Sequence, residues 1–124
     1  MIYTINQVAE IWDISAHTLR FYDKEGLLPF ISRTSNGNRQ FSERDLELVK
    51  LICCLKDTGM SIKEIRRYME ISMAGEKTFE TRKEMMKAHR KEVLRQINDL
   101  KKNLRIIDLK VAYYNSDQNR KDSL

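Results

Sequence analysis

The 124-residue sequence predicts a mainly α-helical chain with one small β-hairpin and a long C-terminal coiled-coil helix. Three observations point there. Ser and Thr residues stand where they would cap short apolar-periodic stretches. One Asn-Gly pair lies between two extended segments. The last third carries an apolar repeat of seven. One Pro and four Gly exclude collagen-like and low-complexity classes. No apolar run approaches ~18 residues, so no transmembrane helix and no membrane partner are predicted. The opening MIYTINQVAE has neither the basic start nor the apolar core of a secretory leader. Two adjacent cysteines, Cys53 and Cys54, cannot build a disulfide framework, and a reducing cytoplasm is the expected location.

The elements follow in order. Thr4 precedes Ile5, Val8, Ala9 and Trp12 and is expected to cap a short first helix. Asp13-Ile14-Ser15 reads as a tight turn, with Ser15 capping a second helix that stops at Gly26. Two short helices joined by about four residues match a helix-turn-helix, with Ala9, Ile14 and Leu19 at the crossing. Pro29 then bars helix continuation. Asn36-Gly37 predicts a hairpin wing, roughly 30–41, with a tight primed turn and with Phe30 and Phe41 as anchors. Ser42 with Asp45 is an acidic variant of a capping box. It opens a third helix, roughly 43–57, whose apolar face includes Leu46, Leu48, Val49, Ile52, Cys53 and Leu55 and which Gly59 ends. Ser61 caps a fourth helix with Ile62, Ile65 and Tyr68/Met69 as its stripe. SMAGEKT, 72–78, reads as a small polar hinge. The organisation is therefore a winged helix-turn-helix domain over 1–71, the hinge, a terminal helix over 79–115 and a polar tail over 116–124.

In the terminal helix Val93, Ile97, Leu100, Leu104, Ile107, Val111 and Tyr114 are spaced 4, 3, 4, 3, 4, 3, and Met86 continues the seam one heptad earlier. A helix of roughly 36 residues is about 54 Å long. The 70 preceding residues are too few to cover that stripe, and the sequence holds no second long helix. A second copy is the simplest cover, which predicts an isologous homodimer. The seam alone leaves strand orientation open.

Charge is informative by position. The 23 Lys+Arg against 18 Asp+Glu give a net +5. Residues 1–70 hold 10 basic and 10 acidic residues, whereas 71–124 hold 13 and 8. Between 14 and 42, Arg20, Lys24, Arg33 and Arg39 face only Asp23 and Glu25, a local cationic excess. Nothing supports catalysis: there is no Gly-rich phosphate loop and no nucleophile with an evident base. Only His17 and His89 are available as His ligands for a metal, and they lie far apart in sequence. Neither a metal nor another cofactor is expected.

The segments Thr18-Leu19-Arg20-Phe21-Tyr22-Asp23, Gly26-Leu27-Leu28-Pro29 and Asn36-Gly37-Asn38-Arg39-Gln40-Phe41 resemble the MerR family of transcriptional regulators. The order of elements matches too, over about 1–115. The resemblance implies a winged helix-turn-helix that binds double-stranded promoter DNA and an antiparallel coiled coil. It further implies a homodimer on a near-palindromic promoter whose spacer is too long. Such proteins bend and untwist that spacer and so act on RNA polymerase indirectly.

Residue by residue, Arg20 and Tyr22 match DNA-contacting positions of the family, and Arg39 matches its wing arginine. Phe21 and Phe41 stand where the family often has Tyr; Phe21 keeps the packing but loses a hydroxyl. Lys56 and Lys63 fall where basic groups approach DNA. His17 and Thr18 lie in the first turns of the second helix, the part that enters a major groove. Lys24, Arg33, Asn36 and Gly37 complete the candidate surface. Other readings stay open: a solvated helix face for His17 and Thr18, a core ring for Tyr22, and a Lys56 stem lying along the core edge. LICCLKDTGMSI and GEKTFETRKEM resemble a short subgroup, without a separate effector domain, that responds to aldehydes, nitric oxide and related electrophiles. In that subgroup a Cys at the place of Cys54 is the proposed sensor. The alternative is a small residue packed under the dimerisation helix, while Cys53 is expected to be buried and inert. Two rival functions remain for the whole chain: an excisionase-like DNA-bending protein, and a coiled-coil adaptor that binds protein.

Overall fold

Four hydroxyl caps start the first four helices. In α1 (Ile5–Ile11) the Thr4 hydroxyl accepts from the Gln7 amide and the Gln7 side chain accepts from the Thr4 amide, a complete capping box. Ser15 caps α2 (Ala16–Lys24) by accepting from the Thr18 amide. Ser42 and Asp45 form a second reciprocal box on α3 (Glu43–Asp57), and Ser61 caps α4 (Ile62–Met73). Each cap satisfies amides that have no partner within the helix. The computed structural model describes residues 1–116, 118 and 120. Of the predicted polar tail, residues 117, 119 and 121–124 lie outside the described residues.

The chain divides into two compact units, Met1–Met85 and Met86–Leu124. In the first, α1 and α2 cross through a turn in which Asp13 takes a left-handed φ of 51°, a conformation Asp tolerates better than most residues. Strands β1 (Ser32–Arg33) and β2 (Arg39–Gln40) pair antiparallel, Arg33 opposite Arg39. Tyr3 extends this hairpin by bridging Phe41, with N–H to O=C distances of 2.7 and 2.9 Å. The core is made by Val8, Leu19, Tyr22, Leu27, Leu28 and Phe41 with Leu46, Val49, Ile52, Leu55, Met60, Ile65 and Met69. Burying each large apolar side chain contributes about 1.5–3 kcal/mol. Trp12 ties α1 to α3 by donating its indole N–H to the Leu46 carbonyl at 2.9 Å.

Several sequence expectations are corrected. The wing turn is not of the two-residue primed kind. The Gly37 amide bonds the Thr34 carbonyl and the Thr34 amide bonds the Asn38 carbonyl, so residues 35–37 form a three-residue connection. Gly37 has φ +83° and Asn36 is not left-handed. One left-handed residue after an ordinary turn suffices for this loop length. The supposed hinge is ordered: Ser72 and Met73 continue α4, and Glu76–Thr78 form a 3-10 turn. The Thr78 hydroxyl bonds the Ile71 and Gly75 carbonyls, and Arg82 reaches Thr78 and the Gly75 carbonyl. Cys53 is partly exposed rather than buried: toward its C-terminal end α3 buries Ile52 and Leu55, and Cys53 lies about 100° around the helix from Ile52. Phe21 is 42% exposed and does not join the core.

Helix α5 (Phe79–Asn115) has 37 residues and no buried one. On the predicted seam, Leu100, Leu104, Ile107, Val111 and Tyr114 are all more than half exposed. The opposite face carries Glu92, Arg95 and Asp99 in ion pairs near its middle. One heptad later the same face turns apolar, with Ile106 and Leu109 exposed. That second stripe was not anticipated, because two residues make too short a run to show a period.

Candidate nucleic-acid interface

The cap on Ser15 fixes where α2 begins, and so which side chains its outer face presents. His17, Arg20 and Lys24 are exposed at spacings of 3 and 4, along one face of the helix. Thr18 is half-buried, and its hydroxyl is 2.8 Å from that of Ser15. Tyr22 faces inward: it is 6% exposed, and burial, with Cys53 and Asp57 nearby, pushes its phenol above the usual range. Its ring therefore belongs to the core, which leaves little surface for a ligand.

The wing approaches α2 through one carboxylate. Asp23 accepts from Arg39 Nε at 2.7 Å and from Arg33 Nη2 at 2.9 Å. Arg33 also donates through Nη1 to the Gly37 carbonyl at the wing tip, 2.9 Å away. The local cationic excess seen in the sequence is thus partly neutralised where α2 meets the wing. Glu25 is engaged as well, by Arg66 of α4 at 3.0 Å.

What remains is a cleft of about 390 Å³ lined by Thr4, Ile5, Asn6, Arg20, Gly37, Asn38 and Arg39. It contains two arginines and no acidic residue. Three predicted residues, Arg20, Gly37 and Arg39, are brought together here. Lys24, Arg33, Asn36, Lys56 and Lys63 are exposed but do not line it. Thr4, Asn6 and Asn38 were missed. Asn38 stands inside the motif at 36–41, which could have flagged it; nothing local distinguishes Asn6. A second hollow, about 450 Å³, shares none of these residues and is lined by Phe30, Leu48, Tyr68, Met73, Arg44 and Arg82 among others.

On α3 the two thiols diverge. Cys54 is exposed. Cys53 is raised above the ordinary thiol range, first by burial and then by Asp57. Lys50, one turn before Cys54, places its ammonium over the Trp12 ring at 4.9 Å from the centroid. Among the described residues no group of three or more His, Cys, Asp or Glu could hold a metal ion. No described helix is long and apolar enough to cross a membrane.

The model of the MerR HTH family of regulatory proteins matches residues 3–71, more than half of the chain. The chain belongs to the MerR family. A second MerR family model, described as DNA binding, matches residues 46–108. Among MerR relatives, an uncharacterised HTH-type transcriptional regulator of Haemophilus influenzae is 46% identical over 92% of this chain and 84% of its own length. The Bacillus subtilis regulator AdhR is 32% identical over 73% of this chain and 64% of its own. The crystal structure of HiNmlR, a MerR family regulator lacking the sensor domain, bound to promoter DNA, superposes with a TM-score of 0.88. It is 44% identical, over 98% of this chain and 96% of that one. A MerR family regulator from Bacillus thuringiensis gives a TM-score of 0.85 at 42% identity, over 90% of this chain and 98% of that one. These MerR proteins are transcriptional regulators, and the same helix-turn-helix, wing and long terminal helix are present here.

Proposed function

We propose that this chain is a homodimeric transcriptional regulator that binds a near-palindromic promoter and bends and untwists its over-long spacer. The observation that carries the reading is the acid-free cleft onto which α2 and the wing turn Arg20 and Arg39. A polyanionic backbone is the ligand such a surface attracts. The similarity to HiNmlR, itself bound to promoter DNA, supports the same role here.

In this reading His17 and Thr18, on the first turns of α2, meet base edges in the major groove. Arg20 reaches a guanine edge or a phosphate. Arg39, with Asn36, Gly37 and Arg33 of the wing, grips the backbone. Lys24, Lys56 and Lys63 add cations near it, and Tyr22 contributes through its hydroxyl at most. The reading head is residues 1–71, and the helix over 79–115 joins two copies along Met86, Val93, Ile97, Leu100, Leu104, Ile107, Val111 and Tyr114. Deforming the spacer brings both promoter elements to one side of the duplex, so polymerase is reached through DNA shape. Acting on a promoter places the protein in the cytoplasm. The exposed Cys54 is the group through which an electrophile would switch it.

Titrating the protein onto the DNA flanking its own gene at several salt concentrations tests the core of this. Affinity is expected to fall steeply with salt, and Arg20→Ala or Arg39→Ala to weaken it by roughly tenfold. Binding indifferent to salt and to both substitutions would refute DNA recognition by this cleft. For the thiol, electrophile-dependent transcription that survives Cys54→Ser would remove it as the sensor.

A further inference from the structure

The ion-pair cluster that shares Arg39 with the cleft contains a residue that the DNA-binding role alone does not explain. A carboxylate close to a DNA-binding surface repels phosphate, yet Asp23 pairs with both arginines of the wing. Its side chain is 18% exposed, so it is largely shielded from solvent by the groups it binds.

The geometry divides the Arg39 guanidinium. Its Nε is spent on Asp23 at 2.7 Å, while its Nη atoms make no hydrogen bond to the described residues. Arg39 also lines the cleft with Arg20. A guanidinium held by one edge presents the other in a fixed plane, which suits two-point recognition of a phosphate. Arg33 works as a brace. One nitrogen reaches Asp23 on α2 and the other the Gly37 carbonyl at the wing tip. The hairpin itself has only two residues per strand, so few ladder bonds hold it. Its base is anchored by the Tyr3–Phe41 bridge and the buried Phe41, and the Asp23 pairs add the tie to α2.

We propose that Asp23 is a positioning residue for DNA recognition: its carboxylate fastens the wing to α2 and turns the free edge of Arg39 toward a backbone phosphate. The inference rests on the DNA-binding reading above. It deepens that reading by assigning an acidic residue a favourable role in binding a polyanion. The wing and the recognition helix then meet DNA as one pre-ordered unit, which lowers the ordering cost of binding.

The two accounts of Asp23 predict opposite signs. If it is only a negative charge near DNA, Asp23→Asn tightens binding to every duplex. If it positions the wing, Asp23→Asn weakens binding to the DNA flanking its own gene at least fivefold and leaves affinity for mixed-sequence DNA unchanged or raised. Asp23→Glu, which keeps the charge, is then expected to recover most of the specific affinity. Both constants are measured on the full chain by fluorescence anisotropy over a range of KCl. Equal tightening on both DNAs overturns the proposal. A wild-type protein that binds neither DNA overturns the DNA-binding reading instead.

Hydrogen exchange on the unaltered chain tests the same claim without relying on a variant that folds. The amides of Thr34, Gly37 and Asn38 are bonded within the wing. They are expected to be protected already in the DNA-free chain and to gain little when DNA is added, because the Asp23 pairs hold the wing in advance. Wing amides that exchange freely until DNA is added would contradict a wing fastened by Asp23.

Discussion

Cys53 and Cys54 are neighbours in sequence, but they stand about 100° apart around α3. That rotation separates their chemistry. Cys54 lies in solvent. Cys53 is half-buried beside Asp57, and both influences favour its protonated form. Thiolate is the reacting species, so iodoacetamide at neutral pH is expected to modify Cys54 several-fold faster, as read by peptide mapping. Cys53 should catch up only as pH rises into its elevated range. Preferential labelling of Cys53 at neutral pH would contradict this placement. The same shift has a stability consequence. Folded Cys53 and Tyr22 hold their protons more tightly than the unfolded chain does. Their contribution is therefore fully present below the ordinary thiol and phenol range and is lost as pH rises through the raised folded values. Urea midpoints measured from neutral to strongly alkaline pH should decline over that alkaline window.

At the scale of elements, local chemistry was readable and long-range chemistry was not. The four caps at Thr4, Ser15, Ser42 and Ser61 act within three residues of themselves, so spacing alone exposed them. Ser42→Ala removes the acceptor for the Asp45 amide and is expected to cost about 1 kcal/mol. A lower urea midpoint with an unchanged slope would show it. The Asp23 bond to Arg39 spans 16 residues, and the Trp12 bond to Leu46 spans 34. No periodicity announces such pairs. The wing shows both sides of this. Asn36-Gly37 marked the reversal, but the turn type followed from the Thr34 and Asn38 bonds, which pairing of the two strands decides. The stretch 72–78 shows the same contrast. Small polar residues looked like a linker until Thr78 and Arg82 found backbone carbonyls in it.

For the whole molecule, α5 poses the main energetic question. Leu100 is 68% exposed and Leu104 53% exposed in the single chain. Leaving Ile97, Leu100, Leu104, Ile107 and Val111 wet forgoes up to about 1.5–3 kcal/mol each. In the dimer proposed above, a second copy along the seam would recover that on both helices, against the cost of association. Leu104→Glu puts a charge in the middle of the seam and is expected to give a monomer by light scattering, with the fold of residues 1–85 retained by circular dichroism. Dimers unaffected by that change would move the interface elsewhere, with the stripe of Ile106 and Leu109 as the next place to look.

The central claim is that two copies, joined along α5, set two reading heads on one duplex. Footprinting the protein on DNA flanking its own gene, together with the mass of the complex, tests it most directly. The account predicts two chains per duplex and two protected, inverted half-sites separated by whole helical turns. One chain per duplex on a single unpaired site would contradict it.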